Sequence, residues 1–173
     1  MSFWDSVKTA VDRVTGSSAN VSLSMDPQFA VPGQTVSVHI TIQNGPAALD
    51  VRAVLLEVMS IEAIELPRNA SWTNVFVDVA AATASSRPQP QKGPEVARHS
   101  ETTFESKITV APGMKLSPGE ARNFKGTFRL PDGVQPSYLG KYAKNEWGLR
   151  ARLDVLGVDP GTGWIAFRVG APR

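Results

Sequence analysis

Strict alternation of apolar and polar residues, broken at short intervals by glycine and proline, constrains this chain more than any other feature. In residues 36–42 every second position is valine or isoleucine, and the positions between are polar. This period of two buries one face of a β-strand and exposes the other, so His39 is predicted to face water. The same alternation recurs in residues 21–25, 104–110, 124–130 and 149–155.

Turn-forming sequences separate these segments. They are Pro32-Gly33, Asn44-Gly45-Pro46, Pro112-Gly113, Pro118-Gly119, Asp132-Gly133 and Asp159-Pro160-Gly161. Residues 51–66 are more continuously apolar and predict one long bent strand or two, while residues 164–169 predict a closing strand. Eight or nine short strands in a chain of 173 residues predict an all-β fold, a single antiparallel β-sandwich.

Two segments depart from this pattern. Near the N-terminus apolar residues recur at spacings of three and four, which predicts a short amphipathic helix within residues 1–18. The apolar face of this helix consists of Phe3, Trp4, Val7, Val11 and Val14. We keep three roles open for it: packing on the sandwich, docking on a partner, or lying at a membrane interface. Residues 81–100 are rich in serine, proline and glycine, and predict a long mobile loop within the sandwich domain of residues 19–173.

Composition and motifs argue against several chemistries. The chain has no cysteine and two histidines, His39 and His99, so a thiolate zinc site is excluded and a histidine-built metal site is not expected. No phosphate-binding glycine loop, calcium loop or Gly-x-Ser-x-Gly elbow occurs. We therefore predict no catalytic residues, no metal and no cofactor. The absence of a signal sequence and of a long apolar run predicts a cytoplasmic protein.

Positive charge is concentrated in one part of the chain. The formal net charge is only +2, yet basic residues clearly outnumber acidic ones between Lys107 and Arg152. Strand parity turns Lys125, Arg129, Arg150 and Arg152 outward, and if their two strands are neighbours in one sheet, these four cations share a face. Such a face suits a phosphorylated segment, an anionic lipid or an acidic protein. The alternative is a solvated surface that keeps the protein soluble. The basic runs and aromatic signatures of nucleic-acid binding are missing.

Several short motifs resemble arrestin-like domains. Residues 29–36 resemble the strand, Pro-Gly-Gln/Glu turn and strand that open such a domain. Residues 128–131 and 135–140 are similar to the stretch in which one strand ends in Leu-Pro and the next begins at Pro-Ser-Tyr-x-Gly. Residues 147–155 resemble the long strand that follows, and residues 158–160 with the closing strand of residues 165–169 are similar to the bacterial sporulation-control members of that superfamily.

The resemblance implies an arrestin-like, immunoglobulin-like sandwich that acts as an adaptor or regulator and not as an enzyme. Arrestins carry two sandwiches in tandem, whereas this chain has length for one, so a function based on an interdomain cleft is not implied. We therefore predict a protein–protein interaction module with an unidentified partner and with self-association through its sheet edges. Two alternatives stay open: a peripheral protein that associates weakly with membranes through the helix, and a structural subunit of a phage or secretion-type particle.

Overall fold

The described chain consists of β-strands and the segments that connect them. The computed structural model describes residues 19–67 and 96–170, and within these residues there is no helix. Nine strands form two sheets. They are β1 (Ala19–Asp26), β2 (Phe29–Ala30), β3 (Thr35–Asn44), β4 (Leu49–Pro67), β5 (Val96–Leu116), β6 (Ala121–Arg129), β7 (Tyr138–Leu139), β8 (Ala143–Val155) and β9 (Ile165–Val169). The predicted all-β sandwich is confirmed.

The smaller sheet contains three strands in the order β1-β3-β6. Burial alternates along the whole of β3, because its valine and isoleucine side chains face the second sheet while His39 faces solvent. β1 and β6 pair antiparallel with the two sides of β3. The outward position predicted for His39 is therefore confirmed.

The larger sheet has the order β2-β9-β8-β4-β5, and β7 pairs with β8 beside β9. β4 is a single strand of 19 residues, which resolves the choice between one strand and two. It pairs antiparallel with β5, a strand of 21 residues, over its whole length and with β8 over most of it. β4 is therefore covered on both sides, whereas β5 lies at the end of the sheet.

Two groups of buried apolar side chains fill the space between the sheets. One includes Ile40, Ile42 and Leu153. The other surrounds Trp147, which is 1% exposed and packs against the rings of Phe104 and Phe167 at centroid distances of 5.2 and 5.9 Å. Because aromatic rings bury the largest areas, Trp147 is the main anchor between β8 and the strands around it.

Most of the predicted turns lie between strands, but one does not. Gly33 lies in a turn with a φ of 80°, a conformation that glycine adopts without strain. Pro112-Gly113 instead lies inside β5, so that predicted turn is wrong. A Cβ on Gly113 would lie 2.9 Å from the carbonyl oxygen of Arg52. Glycine is therefore needed here for a close approach of two strands, and proline is tolerated because β5 is an edge strand.

Two predictions concern residues that the structure does not describe, or describes in part. The N-terminal helix and its apolar face lie outside the described residues and stay a prediction. Of the predicted loop, residues 81–95 also lie outside, whereas residues 96–100 form the start of β5. The loop is therefore predicted too long at this end. Residues 98–100 are exposed, and a strand that only β4 pairs with among the described strands accepts such polar sequence.

Candidate interaction surface

β5 forms the edge of the larger sheet. Its alternation turns Phe104 and Ile108 toward the core and leaves Glu105 and Lys107 exposed to solvent. Among the described residues, only β4 pairs with β5. A strand that is paired on one side leaves every second main-chain N–H and C=O pointing away from its sheet. β5 therefore presents a row of hydrogen-bonding groups that no other described strand occupies.

Two bulges divide this edge. The pairing of β5 with β4 skips one residue of β5 at Val110 and another at Thr103. Bulges bend an edge strand and interrupt its row of hydrogen-bonding groups, and this protects natural sheets from unwanted pairing. Between the two bulges, residues 104–109 keep a single register with β4. This regular stretch, the open segment, is the part of the edge that a further strand can extend.

The bulge at Thr103 connects the open segment to a buried polar network. The Thr103 hydroxyl donates to Ser60 Oγ at 2.9 Å, and Ser60 donates to Asn145 Oδ1 at 2.8 Å. Ser60 and Asn145 are 0% and 1% exposed. Hydrogen-bonded groups in a buried, low-dielectric site hold one another in a single geometry. One end of the open segment is therefore fixed to the interior.

The same network holds the segment that precedes β7. The side-chain amide of Asn145 donates to the carbonyl oxygens of Gln135 and Pro136 at 3.2 and 3.0 Å, and Trp147 Nε1 donates to Gln135 at 2.9 Å. Our sequence reasoning missed Asn145 and Ser60. Both are polar residues at inward positions of otherwise apolar alternations, and that break in pattern was the available signal.

The open segment carries two charges that are free within the described structure. Glu105 and Lys107 are both exposed and flank Ser106. Neither forms an ion pair with any residue in the ranges 19–67 and 96–170. Lys107 lies in register with Glu57 of β4, but the Glu57 carboxylate has other partners. A positive and a negative charge are therefore available at the edge, two residues apart.

Glu57 is held by two arginines of β8 on the outer face of the larger sheet. Arg150 and Arg152 donate to its two carboxylate oxygens at 2.6 and 2.8 Å, and Arg152 also pairs with Asp159. The Arg150 guanidinium lies 4.6 Å from the centroid of the Trp164 ring, within the range of a cation–π contact. Partial burial alone raises the pKa of Glu57, but the hydrogen bonds and charges of the two arginines lower it below its usual value.

The four cations that the sequence placed on one face are divided between two faces. Lys125 and Arg129 lie on β6 in the smaller sheet, whereas Arg150 and Arg152 lie on β8 in the larger one. Outward side chains on two packed sheets point in opposite directions. The predicted four-cation face is therefore wrong, although the outward parity of Lys125 and Arg129 is correct. Anion binding by either pair stays a prediction.

A cleft of about 340 Å³ opens between β7, β8 and β9. Its walls include the rings of Tyr138, Trp147 and Phe167 beside Arg168. The Tyr138 hydroxyl donates to the carboxylate of Glu62, and this hydrogen bond together with burial raises the pKa of Tyr138. The cleft lies on the opposite side of β8 from β5. It is a separate surface feature, but it shares the buried Trp147 and Asn145 with the contacts that hold the open segment.

The described residues contain neither a cluster of candidate metal ligands nor a helix that could span a membrane. Within residues 19–67 and 96–170, no three histidine or carboxylate side chains come together as metal ligands. None of the described segments is a helix long and apolar enough to cross a bilayer. The predictions of no metal and of a cytoplasmic location are not tested by these findings and stay predictions.

Comparison with known proteins identifies the fold. The crystal structure of Spo0M, a sporulation control protein from Bacillus subtilis, superposes with a TM-score of 0.59 over 90% of this chain. The fold is therefore arrestin-like. The two sequences are 20% identical, and the match covers 51% of the Spo0M chain, so this chain spans about half the length of that protein. No family model matches the sequence, and no curated protein matches it either. The resemblance based on short motifs is thus confirmed at the level of the fold.

Proposed function

We propose that this chain is a non-catalytic protein–protein interaction module that captures an extended protein segment as an additional strand on β5. The observation that carries the proposal is the open segment, which combines a main-chain edge that no other described strand occupies with two charges that have no ion pair among the described residues. In strand addition the main chain supplies affinity and alternate side chains supply specificity. The open segment has both elements.

The open segment supports this mode of binding in three ways. Phe104 and Ile108 are half-buried, so an apolar side chain of an added strand would extend the core beside them. Glu105 and Lys107 on the other face would pair with opposite charges at matching positions. The network of Thr103, Ser60 and Asn145 fixes one end of the segment, which lowers the entropy lost on binding.

The arrestin-like fold supports the broader class of function. The structural neighbour is named a sporulation control protein, and a regulatory role of this class is compatible with a surface that binds another protein. We extend this role to the present chain and propose a bacterial, cytoplasmic adaptor without catalytic residues or cofactors. Membrane association through the N-terminal helix and assembly into a particle stay sequence predictions, since both depend on residues or partners outside the described structure.

Affinity capture tests the proposal. Tagged wild-type chain, the edge variant Lys107→Glu and the control variant Lys125→Glu are used as bait in host lysate to which an untagged copy of the chain is added. The two variants make the same change at exposed strand residues, on the larger and the smaller sheet. We expect a protein, either from the host or the untagged copy, to bind the wild type and Lys125→Glu but to be depleted at least about tenfold with Lys107→Glu.

Two outcomes would contradict strand addition on β5. In the first, no protein is enriched with the wild-type bait. In the second, every captured protein binds Lys107→Glu as well as it binds the wild type. A bait that lacks residues 1–16 tests the alternative that the N-terminal segment binds the partner. A partner that is lost only with this deletion would identify the N-terminal segment as the binding element.

A further inference from the structure

We infer that the strand that pairs with β5 is β5 of a second copy of this chain, antiparallel and related by a two-fold axis through Ser106. The inference rests on the proposed function, because it names the segment that the open edge captures. A symmetric dimer of this kind uses the same surface on both copies. It would join the two larger sheets into one continuous sheet and would cover the exposed edge of each.

Charge complementarity carries the inference. In an antiparallel pair, directly opposite side chains point to the same face of the sheet. With the axis at Ser106, Glu105 lies opposite the partner's Lys107, and Lys107 lies opposite the partner's Glu105. On the core side, Phe104 lies opposite the partner's Ile108, again twice. Opposite charges therefore face each other on the outer side of the new strand pair, and apolar side chains face each other on its core side.

Other symmetric registers are less favourable. An axis at Glu105 places two glutamates directly opposite each other, and an axis at Lys107 does the same with two lysines. Like charges in direct cross-strand contact are destabilising. The bulges at Thr103 and Val110 limit regular pairing to the open segment, so larger shifts lose main-chain hydrogen bonds. The sequence of the open segment thus selects the register centred on Ser106.

The charges of the neighbouring strands agree with this register. Arg150 of β8, Glu57 of β4 and Lys107 of β5 lie in one cross-strand row on the outer face of the sheet. In the dimer the partner's Glu105 would be the next side chain in this row. The signs then alternate across the junction, and each charge has an opposite neighbour. Lys107, which has no ion pair among the described residues, would gain one.

Charge reversal and mixing test the partner and the register together. The mass of the full chain is followed by light scattering and by sedimentation from about 1 µM to about 1 mM. We expect a dimer for the wild type. Glu105→Lys and Lys107→Glu each place two like-charge pairs at the junction, so each should weaken dimerisation at least about tenfold. Lys125→Glu, on the smaller sheet, should leave it unchanged.

Mixing tests whether these charges meet across the junction, whereas the homodimers of the variants identify the register, because an axis at Glu105 or Lys107 would leave like charges opposite each other in the wild type and in every variant. An equimolar mixture of Glu105→Lys and Lys107→Glu places lysine opposite glutamate at both positions, so dimers of unlike chains should form with affinity close to that of the wild type. The double variant Glu105→Lys/Lys107→Glu should also dimerise, because it restores two opposite-charge pairs across the junction, although its carboxylate at position 107 lies opposite Glu57 of the same chain. Thermal unfolding of each variant confirms that a monomeric result reflects the interface and not loss of fold.

Three results would overturn the inference: a wild-type chain that stays monomeric at about 1 mM, a dimer indifferent to both single reversals, or a mixture that fails to restore dimers. The lysate capture described above separates this failure from failure of the proposed function. If the wild type is monomeric but captures a host protein in a manner that depends on Lys107, strand addition stands and the partner is another protein. If the wild type neither dimerises nor captures a host protein in a manner that depends on Lys107, both the dimer and strand addition on β5 are wrong.

Discussion

β8 and β5 flank the same strand, β4, but they use charge in opposite ways. β8 is paired on both sides, and its Arg150 and Arg152 are 34% and 25% exposed and bound to Glu57. β5 is paired on one side among the described strands, and its Glu105 and Lys107 are exposed without ion pairs there. Charged side chains at similar outward positions are thus ion-paired within the fold on one strand and exposed without a described ion pair on the other.

The difference follows from position in the sheet. A partly buried charge needs a partner, because its desolvation is otherwise uncompensated. Glu57 lies in the interior of the sheet face, so two guanidinium groups satisfy it. A charge at the edge remains hydrated and needs no partner within the chain. Free edge charges are therefore the ones that a partner can engage without breaking the fold, and variants of β8 and β5 should separate stability from binding.

The largest difference is expected from the aromatic contact that joins the two strands. Trp147 of β8 and Phe104 of β5 pack at 5.2 Å, but Trp147 is fully buried and Phe104 is not. Trp147→Ala should lower the free energy of unfolding by about 3–5 kcal/mol, and Phe104→Ala should lower it by less, as measured by urea denaturation. Equal losses would show that the edge is packed as tightly as the sheet interior, contrary to the comparison.

An intermediate effect is expected at Glu57, with Glu105 as the matched control. Glu57→Gln removes the charge that two arginines bind, which should cost about 2 kcal/mol at neutral pH. Glu105→Gln makes the same change on β5 and should alter stability by less than about 0.5 kcal/mol. Thermal and urea unfolding at low protein concentration measure both. A loss at Glu105 that matches the loss at Glu57 would show that the edge charges already act within the chain.

The pH dependence of the free energy of unfolding shows whether the effect of Glu57→Gln comes from the charge of Glu57. The arginines lower the pKa of folded Glu57 below its usual value of 4.5, so its ionised form stabilises the fold. That stabilisation is complete above about pH 4.5, the value for the unfolded chain, and is lost as the pH falls through the lower folded pKa. The gap in stability between the wild type and Glu57→Gln should therefore be constant near neutral pH and should close in acid. A gap that persists in strong acid would indicate a packing effect instead.

Strand positions and side-chain directions could be predicted from the sequence, because both depend on local alternation. The outward parity of Lys125 and Arg129 and the inward parity of Phe104 and Ile108 all agree with the structure. The order of strands could not be predicted in this way. β6 pairs with β3 and β8 pairs with β4, and these neighbours are set by which buried faces fit together over long stretches of chain. The four-cation face failed for this reason.

The open segment shows the same limit, because its position in the sheet could not be predicted from the sequence. Glu105, Ser106 and Lys107 are visible in the sequence, and so is the symmetry of their charges, but only the sheet order shows that they lie at an edge. The bulges at Thr103 and Val110 were also not predicted, because a bulge is a mismatch between two strands and not a property of one. A Pro-Gly pair inside β5 even indicated a turn where the structure has none.

The smallest expected effect is also the most direct test of whether β5 differs from β8. Lys107→Ala should change the free energy of unfolding by less than about 0.5 kcal/mol, as should Lys125→Ala on the smaller sheet. Measurement by urea denaturation at low concentration matters, since binding to the folded state would add apparent stability as the concentration rises. If Lys107→Ala costs as much as Glu57→Gln, then Lys107 is already engaged within the folded chain. The charge of β5 would then resemble those of β8, and the open segment would lose the free cation on which its pairing depends.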